Sequence, residues 1–233
     1  MRPSHGDSER ELRSYGRRRG RRLSPRQQSL LEHALPKVAL DLASPPPAKL
    51  TDLFGGNLRD VWLEVGFGDG GHLLWQAERN ADIGIIGCEP FVDGVVKVLS
   101  ALEDGRLANV RLYAEDARGL LRWLPQGSIG RLFVLFPDPW PKRRHHKRRL
   151  FAPPTLALLT RCLRPGAELR VATDSADYVR TILLAVAGQP GLRWQADCAD
   201  DWRHRPSDWP ATKYEQKAAR EGRRSYFLSF RRS

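Results

Sequence analysis

The sequence predicts an α/β fold, with a mostly parallel sheet and helices on both of its faces. Short, nearly continuous apolar runs recur from residue 61 onward, and segments long enough for helices separate them. Such runs are typical of parallel strands that are buried on both faces. The chain has 233 residues, 41% of them hydrophobic, which is enough to build one core of this kind. We therefore expect a single domain over residues 51–233.

Residues 1–50 are expected to form a basic arm, a helix and a proline-rich spacer. Residues 1–23 are rich in arginine and poor in large apolar side chains, which predicts little regular structure without a partner. Ser24 and Pro25 have the pattern of an N-cap followed by a first-turn proline, so a helix should begin there and end between Leu31 and Leu35. The prolines at 45–47 predict a stiff, extended spacer.

Seven strands and the helices between them are predicted in the domain. The strands cover residues 61–65, 83–87, 110–113, 132–136, 168–172, 192–195 and 226–230. Helices should connect them, including residues 153–162 and 175–187, and Pro165-Gly166 should form a turn. A tryptophan-rich loop and a short charged helix separate the last two strands, which predicts an antiparallel pair that completes the sheet.

The formal net charge of +12 is concentrated in two segments. Residues 1–26 contain nine arginines and three acidic residues, and residues 142–149 contain six basic residues and no acidic one. The rest of the chain is balanced, which excludes a uniformly basic, histone-like protein. An anionic partner is therefore expected at the two segments.

The cysteine spacing and the short apolar runs exclude several other classes of protein. Cys88, Cys162 and Cys198 lie far apart, so neither a disulfide framework nor a zinc knuckle is predicted. His145-His146 lies among cations, which oppose a metal ion, and no metal is expected. No apolar run reaches the roughly 18 residues of a membrane span, and the N-terminus lacks the apolar core of a secretory signal. We expect a soluble, cytoplasmic protein without a membrane partner.

A glycine-rich loop follows the first strand and precedes a helix. Gly66, Gly68 and Gly71 fit both the dinucleotide-binding pattern and the loop of S-adenosylmethionine-dependent methyltransferases. Glu64 and Asp69 would repel a pyrophosphate but attract the cationic sulfonium and ammonium groups of S-adenosylmethionine. The acidic residues favour S-adenosylmethionine, and NAD stays open at this point.

Further carboxylates follow the next two strands. Glu89 lies 21 residues after Gly68, where a carboxylate can bind the ribose hydroxyls of either cofactor. Asp116 follows the third strand, where an adenine amine would lie, or it serves only as a helix N-cap.

A proline-rich loop that contains one acid follows the fourth strand. In residues 136–141, Phe-Pro-Asp-Pro-Trp-Pro, the prolines fix the backbone around Asp138 and delay the start of a helix. The basic run 142–149 begins four residues later. A solvated charged surface would account for this run, but an anion that neutralises it is favoured because like charges repel.

Together these motifs resemble those of bacterial tRNA (guanine-N7)-methyltransferases of the TrmB type. The similar segments are residues 64–68 (EVGFG), 136–149 (FPDPWPKRRHHKRR), 172–174 (ATD), 212–217 (TKYEQK) and parts of 13–27. The resemblance implies a Rossmann-like class I methyltransferase fold with a mostly parallel seven-stranded sheet and one antiparallel strand. It also implies methyl transfer from S-adenosylmethionine to N7 of guanine 46 in the tRNA variable loop, with S-adenosylhomocysteine as the second product.

The resemblance further implies roles for individual residues. Cofactor binding is expected of Glu64, Gly66, Gly68, Glu89, Asp116 and Asp138, and Asp138 is also the expected catalytic-site acid. Substrate binding is expected of Lys142, Asp174, Thr212, Lys213, Tyr214 and Glu215. RNA contacts are expected of Arg144, His145, His146, Lys147, Arg148 and Arg149. The protein should act on tRNA as a monomer or homodimer, without an obligate protein partner.

Guanine N7 has a free lone pair, so methyl transfer to it needs alignment rather than a base. We expect Asp138 to stabilise the developing positive charge or to orient the guanine.

Three alternative functions remain. An adenine-N6 DNA methyltransferase usually has an acid-proline-proline-aromatic loop instead, an NAD oxidoreductase would need hydride-transfer residues that are not evident, and a non-catalytic RNA-binding module would leave the carboxylates without a role.

Overall fold

The computed structural model describes residue 20 and residues 22–233. Most of the predicted basic arm, residues 1–19 and 21, lies outside the described residues. Within the described part of the chain, no helix is both long enough and apolar enough to cross a bilayer.

Seven strands form one sheet in the order β3-β2-β1-β4-β5-β7-β6. Their bounds are β1 Asp60–Val65, β2 Ile83–Cys88, β3 Val110–Tyr113, β4 Ile129–Leu135, β5 Leu163–Thr173, β6 Leu192–Trp194 and β7 Tyr226–Arg232. The pairs among β1 to β5 are parallel, and β7 is antiparallel to both β5 and β6. The predicted mostly parallel sheet with one antiparallel strand is confirmed.

Helices cover both faces of the sheet. Their bounds are α1 Pro25–Ser29, α2 Leu35–Val38, α3 Gly71–Arg79, α4 Val92–Leu102, α5 Ala117–Trp123, α6 Pro153–Cys162, α7 Ala176–Ala187, α8 Asp200–Arg203 and α9 Lys213–Arg220. Side chains of α3 and α4 share a core with Trp62 and Phe133, whereas those of α5, α6 and α7 share a second core with Leu63 and Leu132. Neighbouring strand residues thus enter opposite cores, as the alternation of side chains along a strand requires.

The N-terminal helix begins where the sequence predicts. The Ser24 hydroxyl accepts from the Gln27 amide, and the Gln27 side chain accepts from the Ser24 amide, which forms a capping box. A π-helical turn over Leu30–Ala34 then joins α1 to α2, so the helical segment continues to Val38 and not only to Leu35. The Leu40 amide donates to the carbonyl of Leu112 at 2.8 Å, which attaches this segment to the edge strand β3.

Several strand ends differ from the predicted bounds, and the local backbone explains two of them. β4 ends at Leu135, because the next residue, Phe136, has a φ of 51° that no strand tolerates. β5 already begins at Leu163 and includes the predicted turn, where Gly166 has a φ of 79° and the pairing with β4 shifts register. The turn is therefore an irregularity within one long strand rather than a break before it.

Candidate active site

The glycine loop is stabilised by its own backbone amides. Gly66, Gly68 and Gly70 all have positive φ angles, of 77°, 59° and 81°. The Gly66 amide donates to the Cys88 carbonyl, the Gly68 amide to Glu89 Oε2 and the Gly70 amide to the Phe67 carbonyl, at 2.8, 2.8 and 2.9 Å. All three amides therefore already have acceptors within the protein.

Glu89 lies at the end of β2, directly beside this loop. Its Oε2 accepts from Gly68, and its Oε1 accepts from the Phe91 amide at 2.9 Å. Burial raises the pKa of the Glu89 carboxyl. The amides of Phe91 and Gly68 oppose that rise, and the negative charges of Asp138 and Glu64 add to it. Each carboxylate oxygen retains a lone pair for another donor.

Asp116 is both an N-cap and a cavity residue. Its Oδ1 accepts from the Arg118 amide at 2.9 Å and caps α5, and its Oδ2 pairs with the Arg118 guanidinium at 2.9 Å. Asp116 also lines the same cavity as Glu89. The two predicted roles of Asp116 are thus compatible.

The proline-rich loop holds Asp138 between two strained residues. Phe136 and Trp140 have φ angles of 51° and 43°, which non-glycine residues rarely adopt. The Phe136 amide donates to the Ala172 carbonyl of β5 at 2.7 Å, and this bond attaches the start of the loop to the sheet. The carboxylate of Asp138 is solvent-exposed.

These features meet in one cavity of about 440 Å³ at the carboxyl edge of the sheet. Its lining includes Gly66, Gly68, Asp69, Glu89, Asp93, Lys97, Asp116, Arg118, Phe136, Asp138, Trp140, Arg148, Lys213 and Tyr214. The structure therefore brings together predicted residues from three strand ends, the glycine loop, the basic run and α9. A cavity of this size is typical of small-molecule sites.

The start of α9 packs against the glycine loop and the proline-rich loop. Lys213 Nζ lies 2.8 Å from Asp69 Oδ2. The Tyr214 ring stacks on Phe136 with 6.2 Å between centroids, and a Cβ placed on Gly68 would lie 3.0 Å from the Tyr214 hydroxyl. Gly68 therefore permits Tyr214 to approach the loop closely.

Glu64 faces away from this cavity. Its carboxylate is buried and contacts His72 Nδ1 of α3 at 2.7 Å. Glu64, His72 and Thr212 line a smaller neighbouring cavity of about 170 Å³ that reaches the other side of the glycine loop. The Glu64 carboxylate thus links the end of β1 to α3.

Four predicted substrate residues lie outside the lining of the main cavity. Lys142 is exposed before the 3-10 helix Arg143–Arg148. Asp174 forms an ion pair with Arg223.

The other two residues, Thr212 and Glu215, lie at the start of α9. Thr212 caps this helix by accepting a hydrogen bond from the Glu215 amide at 3.1 Å. Glu215 Oε1 accepts from Arg205 Nε at 3.2 Å, and its buried Oε2 has no hydrogen-bond partner among the described residues.

The basic run divides into exposed and buried members. Arg143, Arg144 and Lys147 are exposed on the 3-10 helix, where phosphates can reach them. The guanidinium of Arg148 lies 5.0 Å from the centre of the Trp140 ring and lines the main cavity. Partial desolvation, followed by the charges of Arg148 and Arg144, lowers the pKa of His145, so this ring adds no charge to the run at neutral pH.

Arg149 departs from its expected role as an RNA contact. Only 1% of this residue is exposed, and its guanidinium binds the carbonyl of Pro139 and side chains of α7. A phosphate therefore cannot reach Arg149. Sequence reasoning missed this burial because the residue stands at the end of a uniformly basic run.

Two further cavity residues were not predicted. Arg118 is buried beside Asp116, and the Cys88 thiol donates to the Glu115 carbonyl at 3.3 Å. Burial raises the pKa of the Cys88 thiol, which keeps it neutral.

In the part of the chain that the structure describes, no group of three or more His, Cys, Asp or Glu side chains is arranged to hold a metal ion.

Comparison with protein families and curated relatives gives a consistent result. A family model described as a putative methyltransferase matches residues 59–228. A protein from Chelativorans sp. (strain BNC1), called tRNA (guanine-N(7)-)-methyltransferase, is 48% identical over 216 residues, which are 93% of each chain. A protein of the same name from Bradyrhizobium diazoefficiens is 45% identical over 231 residues, which are 99% of this chain and 97% of that one.

Solved structures with lower sequence identity share the fold. One is a 16S rRNA methyltransferase with a TM-score of 0.55 and 20% identity, over 82% of this chain and 95% of that one. Another is an antibiotic-related methyltransferase with a TM-score of 0.54 and 16% identity, over 83% of this chain and 95% of that one. With the strand order described above, these likenesses confirm the class I methyltransferase fold that the sequence implied.

Proposed function

The chain belongs to the tRNA (guanine-N(7)-)-methyltransferase family, and we propose that it transfers the methyl group of S-adenosylmethionine to N7 of guanine 46 in tRNA. One observation from the structure supports this most strongly. A single cavity joins the glycine loop and Glu89, which suit the cofactor, to Asp138, which suits a guanine. The proposal includes a methyltransferase domain over residues 51–233, in line with the match over residues 59–228.

The residues around the glycine loop fit S-adenosylmethionine better than NAD. A dinucleotide pyrophosphate needs free amides at the loop, but those of Gly66, Gly68 and Gly70 donate within the protein. The acceptor of the Gly68 amide is itself a carboxylate, which would repel a phosphate at this position. Glu89 retains acceptor capacity for two ribose hydroxyls. When bound, S-adenosylmethionine supplies an electrophilic methyl group on a cationic sulfur.

The protein's contribution to the chemistry is placement and charge. The Asp138 carboxylate lies on a stiff loop at the rim of the cavity, where it can accept a hydrogen bond from a guanine and stabilise the positive charge that develops on it. Phe136 and Tyr214, already stacked, provide an aromatic wall against which a flipped base can lie. Arg143, Arg144 and Lys147 can offset the cost of unstacking that base by binding phosphates.

The proposal is tested by incubating the protein with S-adenosylmethionine and tRNA that lacks 7-methylguanosine, followed by nucleoside mass spectrometry. We expect 7-methylguanosine to form, and none to form when guanine 46 of the tRNA is replaced by adenine. Methylation of a different guanine would refute only the position. A product methylated on adenine N6, or no product despite tRNA binding, would favour the alternative functions.

Asp138→Asn tests the charge at the rim. We expect kcat to fall about a hundredfold, because the variant keeps the shape of the loop but loses the carboxylate. The surface substitution Asp104→Asn serves as the matched control and should leave kcat unchanged. If Asp138→Asn kept the activity of the wild-type protein, stabilisation of charge by this residue would be excluded.

A further inference from the structure

Each guanidinium nitrogen of the buried arginine at the end of the basic run has a partner within the protein. Arg149 Nε donates to the Pro139 carbonyl at 2.8 Å, one terminal nitrogen donates to Thr181 Oγ1, and the other pairs with Asp177. The guanidinium also lies 4.9 Å from the centre of the Tyr178 ring. Burial of a charged group is costly, and this set of contacts offsets that cost.

These contacts connect the active-site loop to a helix on the face of the sheet. Thr181, Asp177 and Tyr178 all belong to α7, and Pro139 directly follows Asp138. The planar fork of an arginine can bind both sides at once, whereas the single ammonium of a lysine cannot reproduce that geometry.

The loop requires such a support because of its backbone. Phe136 and Trp140 are both held at positive φ, a conformation that persists only where the surroundings fix it. The amide of Phe136 fixes the start of the loop on β5. Among the described contacts, the bond from Arg149 to the Pro139 carbonyl fixes the far side of Asp138.

We propose that Arg149 is a positioning residue that sets the location of the Asp138 carboxylate through the Pro139 carbonyl, with α7 as its support. This inference rests on the proposed function. It separates the basic run into two roles, since the exposed members bind tRNA and the buried last member orients the active-site loop. Displacement of a reacting group by about 1 Å can cost about a hundredfold in rate, so loss of this support should reduce kcat strongly.

Arg149→Lys separates positioning from RNA binding and from folding. We expect kcat to fall about tenfold or more at temperatures where the variant is folded. The affinity for S-adenosylhomocysteine and the salt dependence of tRNA binding should stay as in the wild-type protein. Arg144→Gln should behave differently, with a higher KM for tRNA and a slope of log affinity against log salt that is reduced by about 0.7–0.9.

Variants of α7 test the same support from its other end. Asp177→Asn and Thr181→Val should each lower kcat severalfold with unchanged cofactor affinity, although neither residue lines the cavity. Leu184→Gln, a 64% exposed position of the same helix, is the matched control and should not change kcat.

A folded Arg149→Lys variant with wild-type kcat, or one whose main defect is a flatter salt dependence, would overturn the inference. If Arg149→Lys does not fold, unchanged kcat in both α7 variants would overturn it as well. Absence of 7-methylguanosine with the wild-type protein would instead refute the proposed function, so the two failures are distinguishable.

Discussion

The carboxyl group of Glu89, for which we propose a role in cofactor binding, is costly to bury in the unliganded protein. Its folded-state pKa is raised above the ordinary value of 4.5, mainly by burial. The folded protein therefore binds this proton more tightly than the unfolded chain does. The stabilising contribution of the protonated group is present below pH 4.5 and is lost as the pH rises through the raised folded-state pKa.

Glu89→Gln tests this trade-off. Between pH 4 and pH 7 the variant should become more stable relative to the wild-type protein, with a larger free energy of unfolding, because only the wild-type protein carries the buried charge. Affinity for S-adenosylhomocysteine should fall in the same variant, since the amide nitrogen cannot accept a hydrogen bond. Urea denaturation across the pH range and calorimetry check the two parts. A stability difference that does not change with pH would contradict the first.

For individual residues, the sequence predicted which acids follow the strands but not the direction in which every side chain points. Glu89, Asp116 and Asp138 reach the cavity because strand ends meet at one edge of a parallel sheet. Glu64 is turned toward His72 instead. The direction of Arg149 depends on Thr181 and Asp177, more than 25 residues later in the chain, so local sequence does not reveal it.

Among the secondary-structure elements, α4 approaches the glycine loop closely. Gly94 lies in its first turn, and a Cβ at this position would come within 2.0 Å of the Gly68 carbonyl oxygen. The absence of a side chain at Gly94 thus allows the helix to approach the loop that carries the Glu89 contact.

Gly94→Ala should displace the loop and weaken binding of S-adenosylhomocysteine, with a cost of about 1–3 kcal/mol typical of overpacking. Isothermal titration calorimetry measures the affinity. Gly188→Ala is the matched control, because the nearest atoms to its Cβ would be 3.7 Å away and its φ is −86°. An affinity for Gly94→Ala equal to that of the control would show that the loop adapts without cost.

The elements themselves were largely predictable, whereas their ends were not. Apolar runs and caps such as Ser24 and Ser175 mark where strands and helices lie. The end of β4 depends on the left-handed Phe136, a conformation that its residue type disfavours. The start of β5 depends on pairing with Ile129, a contact over more than 30 residues. Tertiary contacts decide both ends.

For the whole molecule, the charge distribution predicts where tRNA would bind. Arg143, Arg144 and Lys147 are exposed next to the cavity, at the carboxyl edge of the sheet. Their attraction for phosphates is accompanied by release of counterions, so it weakens as salt increases.

Replacing these three residues with glutamine should reduce the slope of log affinity for tRNA against log salt by about two units. Substitution of Arg59, Arg106 and Arg122 with glutamine removes the same charge near the starts of β1, β3 and β4, at the opposite edge of the sheet. This control should leave the slope nearly unchanged. Equal slopes for the two triple variants would mean that net charge, and not the location of the basic run, determines tRNA binding.

The position of β7 has a consequence for the order of events during synthesis of the chain. β7 follows β6 in sequence but lies between β5 and β6 in the sheet. As the ribosome extends the chain, β6 emerges before the strand that it pairs with, and it must wait unpaired while α8 and α9 are made. The arrival of β7 completes the sheet, and α9, which carries Lys213 and Tyr214 beside the glycine loop, is made shortly before it. The part of the cavity wall formed by Lys213 and Tyr214 is thus among the last segments to be made, so a nascent chain contains the glycine loop well before it contains the whole cavity lining.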